Sequence, residues 1–178
     1  MSESEETKRV TWVPPDFEGE SGEYFENKAA QDYLYKKGIE WSDLDDYMES
    51  MSTGEAEELT TLEGIKNLAD EEEFEEEIQD PSYAKNYVGM QKKYEDTGEI
   101  ELPMPIVLRV GKDQWLLSGN RRIHFAKRNN VAPTVWVVTL KKMLKIASML
   151  DAVASSLESR GYIKETREVD RITDQIEE

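Results

Sequence analysis

The 178-residue chain contains no cysteine and a single histidine, His124. Without thiols there is no disulfide framework, no thiolate metal site and no thiol nucleophile. One histidine and no cysteine also exclude a conventional zinc centre. No apolar run approaches the roughly 18 residues of a membrane span. The opening "MSESEETKR" lacks the apolar stretch of a secretory signal. No membrane association and a cytoplasmic location are therefore expected. Positive charge is also scarce: 22 Lys and Arg stand against 39 Asp and Glu, a formal net charge of -17. With 38% hydrophobic and 34% charged residues, a modest core beneath a polar surface is expected, in one domain with appendages.

The few cations are concentrated. Residues 1–103 hold 9 Lys/Arg and 30 Asp/Glu, net -21; residues 104–145 hold 9 and 1, net +8; residues 146–178 hold 4 and 8, net -4. A basic island in an acidic chain has two explanations. It pairs with the acidic part of its own chain, or it serves an external anion such as a nucleotide or a nucleic-acid backbone.

The chain reads as an α+β protein with four parts. Residues 1–23, rich in Glu, Ser, Gly and Pro, resemble a disordered acidic arm whose "VTWV" can dock on the body. Residues 24–80 form an acidic helical region. Within it, one helix is expected from Tyr24 to Gly38, a second capped by Ser42, and a third from Thr60 or Thr61 to Ala69. The run "DEEEFEEEIQD" reads as a solvated helix face or mobile connector, or as a cover for the basic island. Residues 81–140 carry the core. A helix starting at Pro81 places Tyr83, Tyr87, Met90 and Tyr94 on one face and ends near Gly98. A change of period then gives strands "MPIVLRV" and "WLLS" across a "GKDQ" turn, a helix "NRRIHFAKRNN" and a strand "PTVWVVTL". Residues 141–178 form a helical hairpin. Leu144, Ala147, Leu150, Ala154 and Leu157 make one stripe, Val169, Ile172 and Ile176 another, and Gly161 marks the turn.

The candidate site is Ser118-Gly119-Asn120-Arg121-Arg122, at the passage from strand to helix. The first turn of a helix leaves backbone N–H groups unpaired at the positive end of its dipole, which suits an anion. Gly119 allows a tight turn and close backbone approach. Ser118 can cap the helix or donate to a phosphate. Adjacent arginines point about 100° apart, so one can reach forward while the other pairs elsewhere. Arginine at this end of a helix is electrostatically awkward unless an anion sits between it and the helix. That anion is a ligand phosphate or one of the chain's own carboxylates.

These residues, in this order, resemble the N-terminal domain of the ParB partition proteins and the wider ParB/sulfiredoxin superfamily. The resemblance rests on Pro105-Ile106-Val107-Leu108, the box Gly119-Asn120-Arg121-Arg122, Phe125-Ala126-Lys127 and Val131-Ala132-Pro133-Thr134-Val135-Trp136, with the helix Ser82–Thr97 before them. It spans about 60 residues and implies a small mixed ParB/sulfiredoxin-like sheet flanked by helices. It also implies a nucleotide, CTP or ATP with Mg²⁺, bound through its phosphates at the box, and a nucleoside triphosphate hydrolase, phosphotransferase or DNA-acting nuclease. The family's box glutamate is Asn120 here. Sulfiredoxin chemistry is excluded because it requires a cysteine in the box. No helix-turn-helix region for reading DNA follows.

Glu99, Glu101 and His124 are the candidate catalytic groups, chosen for proximity in sequence, and no protein-bound metal site is expected. Trp115 and Trp136 read as core. The competing function is a non-catalytic acidic interaction protein, in the style of a phage or plasmid accessory factor. It would keep the fold, bind a basic protein partner, and assemble as a homo-oligomer through the hairpin. DNA is a weaker partner expectation, since phosphate contacts need unpaired cations.

Overall fold

The computed structural model describes residues 8–140 and 144–177. Val10 and Trp12 alternate with Thr11, and this run forms strand β1 (Arg9–Val13). Helices α1 (Phe17–Glu20) and α2 (Gly22–Phe25) follow at once. The disordered arm expected over 1–23 is therefore corrected from Arg9 onward; residues 1–7 lie outside the described residues. Val10 and Trp12 supply the reason, because both pack against a core of Phe74, Tyr87, Tyr94 and Phe125.

The single helix expected from Tyr24 is interrupted at Asn27. Its side-chain oxygen accepts from the Ala30 N–H at 3.1 Å and starts α3 (Lys28–Lys36) afresh. In α4 (Leu44–Ser52) the cap is Asp43, one residue after the expected Ser42, whose hydroxyl donates instead to Asp46. No helix forms between Thr60 and Ala69. Gly64 (φ +81°) and Asn67 (φ +62°) are left-handed there, which a right-handed helix cannot accommodate. The segment instead contributes strand β3 (Ile65–Lys66) to the main sheet, and strand β2 (Glu55–Glu58) of the same sheet precedes it.

Asp70 and Glu73 form a reciprocal capping box that opens α5 (Glu71–Glu77). Pro81 opens α6 (Pro81–Thr97), and Gly98, at φ +70°, closes it. Strands β4 (Glu99–Pro103), β5 (Ile106–Val110) and β6 (Asp113–Ser118), helix α7 (Asn120–Arg128) and strand β7 (Thr134–Leu140) complete the body. The main sheet is mixed, in the order β2-β7-β5-β6-β3, while β1 and β4 pair in parallel as a separate ribbon. Strand β5 lies at the centre, antiparallel to β6 and parallel to β7, with Ile106 opposite both Ser118 and Trp136. Ile106, Val107, Leu108 and Val110 are fully buried, because both faces of β5 are covered. One face packs on α2–α4 through Leu34, Tyr47 and Met51; the other packs on Ile123 of α7 and Ile65. Burying α7 between this sheet and the α5–α6 layer fixes where its first turn opens.

The C-terminal helices α8 (Leu144–Ser159) and α9 (Ile163–Glu177) pack together as a hairpin around Gly161 (φ +83°). Ala154 is buried between them, whereas Met149, Val153, Tyr162 and Ile163 are exposed. The side chains of Leu144, Ala147 and Ile176 lie outside the described residues.

Candidate functional site

Strand β6 ends at Ser118, and Gly119 turns the chain into α7 with φ +102°. That conformation is strained for any L side chain. Space forbids one too: a Cβ at this position would lie 2.5 Å from Cβ and 2.7 Å from Cα of Pro105. Gly119 thus lets the β6–α7 turn press against the start of β5. No side chain caps the first turn of α7, which opens on a cleft of about 1350 Å³. Ser118, Gly119, Asn120, Arg121 and Arg122 all line this cleft.

The two arginines divide as their angular offset requires. The Arg122 guanidinium turns inward and grips Glu20 in a fork, Nη1 to Oε1 at 2.9 Å and Nη2 to Oε2 at 2.7 Å. Nη1 also donates to the carbonyls of Pro103 (2.9 Å) and Met104 (3.3 Å). The Ser118 hydroxyl donates to Glu20 as well. Both charged side chains are about six-sevenths buried, at 14% and 16% exposure. Arg121 takes the other direction: it stacks over the Tyr83 ring at 4.5 Å and donates to the Tyr83 carbonyl at 3.2 Å. Asn120 bridges the walls. Its amide donates to Glu77 and to the Tyr83 hydroxyl, and its oxygen accepts from the Ala69 N–H.

Glutamates dominate the cleft walls, with Glu20, Glu23 and Glu26 on one side and Glu73, Glu76 and Glu77 on the other. Burial raises the carboxyl pKa of Glu23; neighbouring Glu20 raises it further, against the opposing pull of Arg121 and Arg122. The Tyr83 hydroxyl is pushed up to about 12, chiefly by burial, with Asn120 acting against that shift and Glu77 with it. It is a hydrogen-bonding group at neutral pH rather than an acid.

Elsewhere three cations of the basic island are met by the chain's own acids. Arg109 pairs with Glu57, Lys127 with Glu71, and Arg128 with both Glu71 and Glu75. The acidic run of α5 is accordingly docked, with Phe74 fully buried beneath it. Those pairs hold the Glu71 carboxyl down at about 2, the Lys127 hydrogen bond being the largest cause.

The candidate catalytic groups do not join the box in the cleft. Glu99 and Glu101 are exposed on β4, opposite Arg9 and Thr11 of β1, and do not line the cleft. His124 is buried, with Nε2 hydrogen-bonded to the Ala69 carbonyl at 2.9 Å and its ring stacked on Phe74 at 3.9 Å. Burial lowers its pKa, so it is neutral at neutral pH, with Nδ1 unpartnered 3.6 Å from Glu71. It also does not line the cleft. Among the described residues, no cluster of three or more acidic or histidine side chains is placed to hold a metal ion. Glu20 is the site residue that the sequence conceals. It lies 102 positions from Arg122 in a stretch that reads as unstructured.

Comparison with models of known protein families, with curated proteins and with solved structures finds no match.

Proposed function

We propose that this cleft binds a nucleoside triphosphate, CTP or ATP, through its phosphates at Gly119–Arg121. The observation that carries the reading is the first turn of α7. It is free of a side-chain cap, opens on a cleft large enough for a nucleotide, and has an arginine beside it. Backbone N–H groups at the helix start favour an oxyanion, and Gly119 removes the side chain that would block its approach. The resemblance of the sequence from Ser82 to Trp136 to the ParB N-terminal domain points to the same reading. The glutamate-lined walls favour a triphosphate carrying Mg²⁺ over the free anion, because the metal offsets like-charge repulsion. Mg²⁺ would arrive on the phosphates and needs only one or two protein carboxylates; Glu23 and Glu77 line the same cleft. The reaction, if the site turns over, is phosphate hydrolysis or transfer. Duplex DNA is a poor partner in this reading, since Arg109, Lys127 and Arg128 are already paired.

A second reading has its own observation. Arg122 is satisfied by Glu20 and two carbonyls, which is how a purely structural arginine is held. In that case the fold serves a non-catalytic protein that binds a basic partner through its acidic surface or assembles through the hairpin.

A thermal-shift titration separates the two. A ligand at 100 times its Kd stabilises by about 2.7 kcal/mol. For a chain of this size that raises Tm by roughly 5–10 °C. MgCTP or MgATP gives such a rise in the wild type, and Arg121→Ala abolishes it. No rise with either nucleotide at millimolar concentration removes the nucleotide reading.

A further inference from the structure

Resting on the nucleotide reading, we infer that Glu20 is a displaceable internal occupant of the anion site, so that a nucleotide must evict the α1–α2 segment to reach Arg122. The Glu20 carboxylate sits where a phosphate would. It takes both donors of the Arg122 fork and the Ser118 hydroxyl, and it lies on the wall of the cleft. An arginine fork matches carboxylate and phosphate alike, so the two compete for the same donors.

Arg122 does not depend on Glu20 for its orientation. The Pro103 and Met104 carbonyls hold Nη1 independently, and both belong to the β4–β5 passage. Departure of Glu20 therefore leaves a preset fork facing the cleft. Such an arrangement suits a regulated site better than a permanent ion pair.

The segment that carries Glu20 is a single short helical turn between two anchors. Helix α1 has only four residues, of which Glu18 and Gly19 are exposed, and Glu20 is its last. Phe17, against the Trp136 ring at 5.6 Å, and buried Tyr24 pin the two ends. Gly19, Ser21 and Gly22 lie between these anchors, and small residues absorb backbone rotation readily. Eviction of Glu20 also removes its negative charge from the wall of the cleft, while Glu23, beside the buried Tyr24, stays in place.

The test is a pair of measurements with MgATP and MgCTP. Titration calorimetry compares the wild type with Glu20→Gln, which keeps the shape and removes the charge. Loss of the competitor raises apparent affinity by the inverse of the fraction of molecules with the site open, here about tenfold or more. Amide hydrogen exchange on the wild type needs no variant. Saturating nucleotide accelerates exchange at residues 17–23 while protecting the first turn of α7. Tighter binding by Glu20→Gln with faster exchange in that segment supports the inference. Equal affinity in the two proteins, or slower exchange at residues 17–23, overturns it and leaves the nucleotide site standing. Failure of both proteins to bind either nucleotide overturns the nucleotide reading and the inference together.

Discussion

Replacing Arg122 with alanine should destabilise the protein well beyond the effect of a surface mutation. The guanidinium is 14% exposed and makes a two-pronged contact with a carboxylate that is itself 16% exposed. Its loss strands the Glu20 charge and leaves the Pro103 and Met104 carbonyls without this donor. Breaking a fully buried pair from one side costs about 3–5 kcal/mol. Partial solvent access to both groups lowers the expectation here to about 2–4 kcal/mol. Urea unfolding followed by tryptophan fluorescence reads the change as a lower midpoint at unchanged slope. Glu20→Ala and the double variant complete a cycle. The double variant is expected to be more stable than the sum of the single losses by about 1–3 kcal/mol, because each single change strands a partner. A loss below about 0.5 kcal/mol in Arg122→Ala would place the pair among surface contacts and refute the geometry described for it.

Phe74→Ala is expected to cost about 3–5 kcal/mol by urea unfolding, because Phe74 is fully buried against His124 and Tyr87; a loss below about 1 kcal/mol would mean that α5 is a loose connector after all. Acid should act in two windows. The His124 pKa is depressed by burial, so the unfolded chain binds its proton first, and stability falls as pH drops below 6.5. His124→Gln should flatten that first decline in urea midpoints measured across pH. The Glu71 carboxyl is held near 2 against an ordinary 4.5, so a further loss follows as pH falls below 4.5. Glu71→Gln should remove that second part. Among the described side chains, those of residues 149–172 supply none of the buried members of the three core clusters. A chain ending at Leu140 should therefore keep the near-ultraviolet circular dichroism of the full chain and its response to nucleotide.

The parts of the fold that show in the sequence are those whose signals are local and apolar. "PIVLRV" and "WLLS" announce the central hairpin because Ile106 to Val110 must be buried almost continuously. Tyr87 and Tyr94 fix the face of α6, and Pro81 and Gly98 mark its ends by backbone chemistry alone. The missed elements depend on distant partners. "EAEE" has no strand signature; β2 exists because β7 offers its edge, and because Arg109 meets Glu57 across 52 positions. "RVTWV" becomes β1 only when β4, some 90 residues later, lies beside it. The box was legible as a strand-to-helix turn with a glycine and two arginines. Its carboxylate was not, since nothing near Glu20 in the chain points to Arg122. The alternation of Val10 and Trp12 was the one hint that this part of the chain is folded.

The first turn of α7 is the proposed receiver of a nucleotide phosphate. Backbone amide NMR during titration with MgCTP and MgATP observes that turn directly. Saturable shifts centred on Gly119, Asn120 and Arg121, lost in Arg121→Ala, are expected. Unchanged amides at those three residues under saturating nucleotide, or shifts confined to a different surface, would contradict that role.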